Sequence, residues 1–240
     1  AKAIDAAGAS SSVSKQVIVT EPLQATIETA LTDLKNKTTT EISSDAENII
    51  ALMVSVSSEA TDSGNLGIIA NTLDELTQVA ELDDTTREQT LSIIETISSN
   101  LTQGGTEEAK IFDSLKRIAV EAKDADSARR IFATLSQMQV GNTNRGLLIE
   151  SFSALGKTPV LPGEMLEFES GGRKVAVAGA MAGSTIATDG VTVPAGLVNE
   201  DFSLAVGGYP EVRDDTVIGS TINIDLYGLD DNEAIDTSSL

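Results

Sequence analysis

Up to about Leu155 the apolar residues recur every three to four positions, and beyond Leu161 they alternate every second position. The first period predicts amphipathic helices and the second half-buried strands, so the chain reads as α+β: an N-terminal multi-helix subdomain followed by a C-terminal antiparallel β-sandwich. Interleaved βαβ units are excluded, because few segments in either half mix the two periods.

Seven helices are predicted. Leu23, Ile27, Ala30, Leu31 and Leu34 mark the first; Ala46, Ile49, Ile50, Met53 and Val54 the second, with Ser44 or Asp45 as its cap; Ile69, Leu73, Leu76, Val79 and Ala80 the third. A fourth follows Asp83 and Asp84 with Leu91, Ile94 and Ile97 on one face, and the turn residues from Asn100 to Gly105 end it. Thr106 is read as the cap of a fifth through Ile111, Leu115 and Ile118, with Glu107 and Glu108 where the helix dipole favours acids. Ala128, Ile131, Phe132, Leu135 and Met138 form a sixth that stops near Gly141, and Leu147, Leu148, Phe152 and Leu155 a seventh that Gly156 can terminate.

The turn from Pro159 to Gly163 divides the two halves. Residues 165–170 and 174–180 flank Gly171-Gly172, the strongest hairpin signal in the chain. Further strands are expected at 184–187, 191–193, 202–206 and 218–227, where Ile218, Ser220, Ile222, Ile224 and Leu226 share a face. The division is therefore residues 1–22 as a linker or the end of a preceding β module, 23–158 as the helical subdomain, and 159–240 as a β-sandwich incomplete at its C-terminal end. In the first of these, Val17 and Val19 alternate toward Glu21-Pro22 like a closing strand.

Charge narrows the choice of partners. Thirty-seven acidic against sixteen basic residues leave −21, which opposes phosphate backbones because no net counterion release is gained. Nucleic acid is excluded as a partner, and no apolar stretch reaches the roughly 18–20 residues of a membrane span, so no membrane insertion is expected in this segment. After Lys174 the one basic residue is Arg213, so the β half attracts cations or a basic partner. On helices five and six, Lys110, Lys116, Arg117, Lys123, Arg129 and Arg130 lie close in sequence to Glu107, Asp113, Glu121 and Asp126, the pattern of a salt-bridged exposed face.

The chain has no Cys, His or Trp, which removes thiolate metal sites, cysteine nucleophiles and the commonest general base. Leu155-Gly156-Lys157-Thr158 matches only the end of a phosphate loop, since Ser151 stands where the motif needs its first glycine. Asp225, Asp230, Asp231 and Asn232 supply the hard oxygen ligands that calcium prefers, and form the one candidate metal set, without the glycine and spacing of an EF-hand. No other cofactor and no catalytic residue is indicated. Asn36-Lys37-Thr38 and Asn100-Leu101-Thr102 are N-glycosylation sequons, making Asn36 and Asn100 candidate glycan sites.

Val191-Thr192-Val193-Pro194, then Phe202 to Val206, then Ser220 to Gly228 followed by an acidic turn and Ile235, resemble the strand order of a GAIN domain. Val17 to Pro22 followed by acidic, Leu/Ile-spaced helices is similar to the junction with a receptor-for-egg-jelly region in polycystin-like proteins. The resemblance implies an extracellular or cell-surface location and a structural, non-enzymatic role among protein partners in an adhesion assembly. Many members self-cleave at a His-Leu-Ser/Thr site, an activity that transfers to no residue of this His-free chain. Two rivals stand beside that expectation. Low aromatic content and richness in Ala, Ser, Thr and Gly also suit a flagellin-like or surface-layer subunit that forms homo-oligomers or filaments, and a carboxylate pair or bound metal would suit an enzyme.

Overall fold

The computed structural model describes residues 2–4, 10–12, 29, 32–33, 36–79, 82–211 and 220–235. The expected strand at 17–22 lies outside them, as do Ile218 and most of the predicted first helix. A short antiparallel ladder pairs β1 (Lys2–Ile4) with β2 (Ser10–Ser12). Helices α1 (Thr39–Ser44), α2 (Ala46–Ser57), α3 (Ser63–Val79), α4 (Asp84–Ser98), α5 (Thr106–Val120), α6 (Ala125–Gln137) and α7 (Arg145–Ala154) follow. The strands come after them: β3 (Met165–Ser170), β4 (Arg173–Ala180), β5 (Ile186–Thr188), β6 (Val191–Val193), β7 (Phe202–Tyr209) and β8 (Thr221–Gly228).

Helices begin where side-chain oxygens can take up free backbone N–H groups. Asp83 Oδ1 accepts from the Thr86 N–H at 2.7 Å to start α4, and Asp124 Oδ1 from the Ser127 N–H at 2.8 Å to start α6. The short α1, absent from the periodicity reading, opens with a capping box in which Thr38 and Glu41 each accept from the other's backbone N–H. One expected cap differs. Gly105 rather than Thr106 precedes α5, and the Glu108 carboxylate folds back to accept from the Gly104 N–H at 2.9 Å.

Helix α5 packs against both α3 and α7, and α7 with the 3₁₀ turn Leu155–Lys157 rests on the sheet. That sheet is antiparallel, ordered β3-β4-β7-β8. Gly171 and Gly172, with φ of 59° and 80°, supply the left-handed turn between β3 and β4 that their pairing predicts. Among the described residues the second β layer is the hairpin β5-β6, laid over one face of the four-stranded sheet. Helices cover the other face, so the sandwich takes the form of helices, sheet and hairpin.

Pairing assigns each strand residue to a face. Phe168, Val175, Val177, Ala205, Tyr209 and Tyr227 face the helices and continue their core, which runs without a break from Ile42 through Phe112, Phe132 and Phe152. Phe132 stacks on Phe168 with ring centroids 5.8 Å apart, and Phe152 on Tyr209 at 5.5 Å. Ala178, Ala180, Phe202, Leu204, Val206 and Leu226 face the hairpin and form a second, smaller core with Ile186, Val193 and Val198. Ile222 and Ile224 share Leu226's face as expected, yet they are 66% and 54% exposed, because the hairpin does not reach that end of β8.

Four basic residues of α5 and α6 form ion pairs, mainly across helices, while Lys110 donates to the Asn71 side chain on α3. Arg117 bonds Asp74 on α3, Lys116 bonds Glu150 on α7, and Arg130 spans to Glu95 and Glu88 on α4; Arg129 with Asp126 is the local pair. Arg173 joins the two halves directly, donating to the Ser136 carbonyl at the end of α6 at 2.9 Å while it pairs with Glu211.

Candidate functional site

Between α7 and β3 the chain crosses the end of the sheet as Thr158-Pro159-Val160-Leu161-Pro162-Gly163, and each residue there has a physical task. Two prolines keep the segment extended. Val160 is buried, anchoring the crossover, while Leu161 beside it is 66% exposed. Gly163, with φ of 88°, donates its N–H to the Gly179 carbonyl at 2.9 Å, and Gly179 donates back to the Glu164 carbonyl at 3.0 Å. A side chain on Gly179 would sit 2.4 Å from the Leu161 carbonyl oxygen, so only glycine lets the crossover pass this close to β4.

Opposite the crossover, the chain leaving β8 folds into a tight turn. Gly228 donates to the Glu233 carbonyl at 2.9 Å and Asn232 to the Gly228 carbonyl at 3.0 Å, with Asn232 in the left-handed region at φ 56°. The Asn232 side-chain amide donates to the Lys157 carbonyl at 2.9 Å, tying the turn to the end of the helical layer. Leu229 donates to the Asp201 carbonyl at 2.9 Å, which adds the start of β7 to the same wall.

These segments enclose a groove of about 370 Å³ lined by Pro159, Leu161, Pro162 and Leu229 as apolar surface and by Glu164, Asp201 and Asp230 as charge. Among the described residues no basic side chain lines it. Asp201 Oδ1 accepts from the Ala182 N–H at 2.8 Å and Glu164 Oε2 from the Leu161 N–H at 3.2 Å, so both carboxylates are held in place by backbone. Glu200 and Asp231 approach Gly228 at the same wall. An apolar floor with an acidic rim can seat an apolar side chain next to a lysine or arginine.

The four residues proposed for calcium do not converge. Asp225 lies on the helix-facing side of β8, opposite Ala205, whereas the other three are in the turn beyond the strand. Asp231 Oδ1 is occupied by the Glu233 N–H at 3.0 Å, and the Asn232 side chain by Lys157. Among the described residues no group of three or more Asp, Glu, His or Cys side chains is placed to hold a metal ion. Burial raises the Asp225 carboxyl above its usual range, and Tyr227 is pushed up to about 12 by burial and by the neighbouring Asp225 charge.

Both sequon asparagines are exposed; Asn36 is helical, and Asn100 lies in the turn after α4. The acidic turn at 230–232 is visible in the sequence, whereas the crossover is marked there only as a boundary. Its two prolines on either side of Val160-Leu161 were the available signal, and nothing local said that the turn from β8 would face it.

No family model matches this chain, and no curated protein is similar enough in sequence to count as its relative.

Proposed function

We propose that this chain is a non-enzymatic structural and interaction module of an extracellular or cell-surface assembly, GAIN-like with a receptor-for-egg-jelly junction, acting by contact with protein partners. The observation that carries the reading is the acidic-rimmed apolar groove, in which Glu164, Asp201 and Asp230 surround Leu161, Pro162 and Leu229. Its chemistry suits a protein segment that is both basic and apolar. The order of helices before strands and the long strand followed by an acidic turn support the resemblance.

A synthetic peptide alternating Lys and Leu tests this, with a peptide of equal charge lacking Leu as the control. The expected result is saturable binding of the first, weakened by salt and by Asp230→Asn, and unchanged by Glu47→Gln on the exposed face of α2. Equal binding of both peptides, or equal effects of the two substitutions, would show net charge alone at work and overturn the groove as the contact surface.

A filament or surface-layer subunit is the second reading, favoured by Ile222 and Ile224, which stand exposed on the edge strand β8. Concentration-dependent sedimentation that Ile222→Lys abolishes would favour assembly; a single monomeric species at all concentrations would remove that reading.

A further inference from the structure

The turn after α4 carries the second of the two sequons. Asn100 and Thr102 are exposed while Leu101 between them is half-buried against the main core, so the sequon presents its two reacting residues outward on an anchored turn. Asn100 donates its backbone N–H to the Ile97 carbonyl at 2.9 Å, and the Thr102 carbonyl accepts from Gly105 at 3.0 Å, which fixes the turn outside helical geometry. Beside it opens a cavity of about 160 Å³ lined by Ser98, Ser99, Gln103, Gln137 and Gln139, with the Gln103 amide donating to the Gln139 carbonyl oxygen at 2.8 Å across it. The one charged group there, Glu108, is 1% exposed and has its carboxylate engaged by Gly104, Gly141 and Asn144. Leu101 adds a half-buried apolar patch, and the other accessible lining groups are hydroxyl and carboxamide, the groups that hydrogen-bond neutral sugar hydroxyls.

We infer that Asn100 is an N-glycan acceptor whose first N-acetylglucosamine lies over this neutral polar cavity. The inference rests on the extracellular reading for its biological setting. In the transfer, Asn100 Nδ2 forms a bond to the anomeric carbon of the sugar and loses one amide proton to a carboxylate base of the glycosyltransferase. The bond from that carbon to a lipid pyrophosphate breaks, and the pyrophosphate leaves with the electron pair. Asn36 is the weaker acceptor: its backbone is helical, and the Thr38 hydroxyl of its sequon is drawn into the capping box of α1, donating to Glu41 Oε2 at 2.8 Å.

The test is expression of the full chain behind a secretory leader in glycosylating eukaryotic cells, with enzymatic release of the glycan and peptide mass spectrometry. The expected result is conversion of Asn100 to aspartate on release. Asn100→Gln and Thr102→Ala should abolish it, while Thr102→Ser and Asn36→Gln should retain it. An unmodified Asn100 peptide alongside a modified control glycoprotein from the same cells overturns the inference, as does a glycan found on Asn36 alone. Because Thr102→Ser conserves the hydroxyl, its retention separates a sequon requirement from a folding defect. The extracellular reading fails separately, if antibody to the chain does not label intact cells of its source, and that result leaves the occupancy measurement intact.

Discussion

Gly156 packs directly against Ala205: a β-carbon on Gly156 would lie 2.7 Å from that of Ala205 and 3.4 Å from the Tyr227 ring. The sequence suggested a helix stop at Gly156, but the residue sits inside the 3₁₀ turn, and what it provides is the absence of a side chain where the helical layer meets β7. Gly156→Val is expected to destabilise the fold by about 1–3 kcal/mol through overpacking. Ala205→Gly in the same chain should recover part of the loss, and denaturant unfolding of the double-mutant cycle measures it; additive losses would mean the two residues do not meet.

Glu108 holds three N–H donors with a buried carboxylate, at 2.9 Å from Gly104, 3.2 Å from Gly141 and 2.6 Å from the Asn144 side chain. Glu108→Ala leaves the Gly104 and Gly141 N–H groups without their acceptor, at about 1–3 kcal/mol for each, while the Asn144 amide keeps its bond to the Gly105 carbonyl at 3.0 Å. Urea unfolding should show a loss of at least about 2 kcal/mol on that scale, with Glu108→Gln intermediate because one acceptor oxygen remains. A neutral Glu108→Ala would mean that water replaces the carboxylate.

Leu115 and Ile224 looked alike in the apolar pattern, and the structure separates them. Leu115 is 0% exposed on α5, so Leu115→Asp should cost more than about 4 kcal/mol and unfold the chain. Ile224 stands on the open end of the outer face of β8, so Ile224→Asp should stay within about 0.5 kcal/mol. Circular dichroism melts of the two variants decide it.

Acid should weaken the helical layer first. Asp83 and Asp124 are held below the usual carboxylate range by hydrogen bonds from the Thr86 and Ser127 backbone N–H groups and then from their hydroxyls. Burial pushes Glu95 upward, but hydrogen bonds from Arg130 and Thr134 outweigh it and leave its carboxyl lowered. Because the folded values are depressed, this stabilisation is present in full above the unfolded range of about 3.9–4.3. It is lost as pH falls through the lower folded values. Melting curves of Asp83→Asn and Asp124→Asn should therefore approach the parent's as pH drops through that window; a constant gap would assign the effect to shape.

Asp225 has the opposite sign. Its carboxyl is raised by burial, so the folded state bears a penalty for the charge at neutral pH, which begins to fade as pH falls through the folded value and is gone below the unfolded one. Asp225→Asn should raise Tm at pH 7, with the gain shrinking toward acid. A lowered Tm at pH 7 would indicate that the charge has a favourable partner.

Much of the architecture was legible from local physics. Periodicity located helices α2 to α7, because each must bury one stripe, and alternation with turn residues located the paired strands; Asp83 and the Gly171-Gly172 turn act through neighbours two or three residues away. These are properties that a short stretch of chain carries by itself. What only the tertiary structure decided depends on distant segments meeting. Ile222 and Ile224 are exposed because a hairpin formed by residues 186–193 ends short of them, and the candidate calcium ligands divide between a strand face and a turn. The groove exists because the crossover at 158–164 and the turn at 228–232, some seventy residues apart, are joined through Asn232 and the Lys157 carbonyl. Hydrophobic patterning specifies which residues are buried but not which buried faces come together, so the contacts most relevant to function are set by packing across the whole fold.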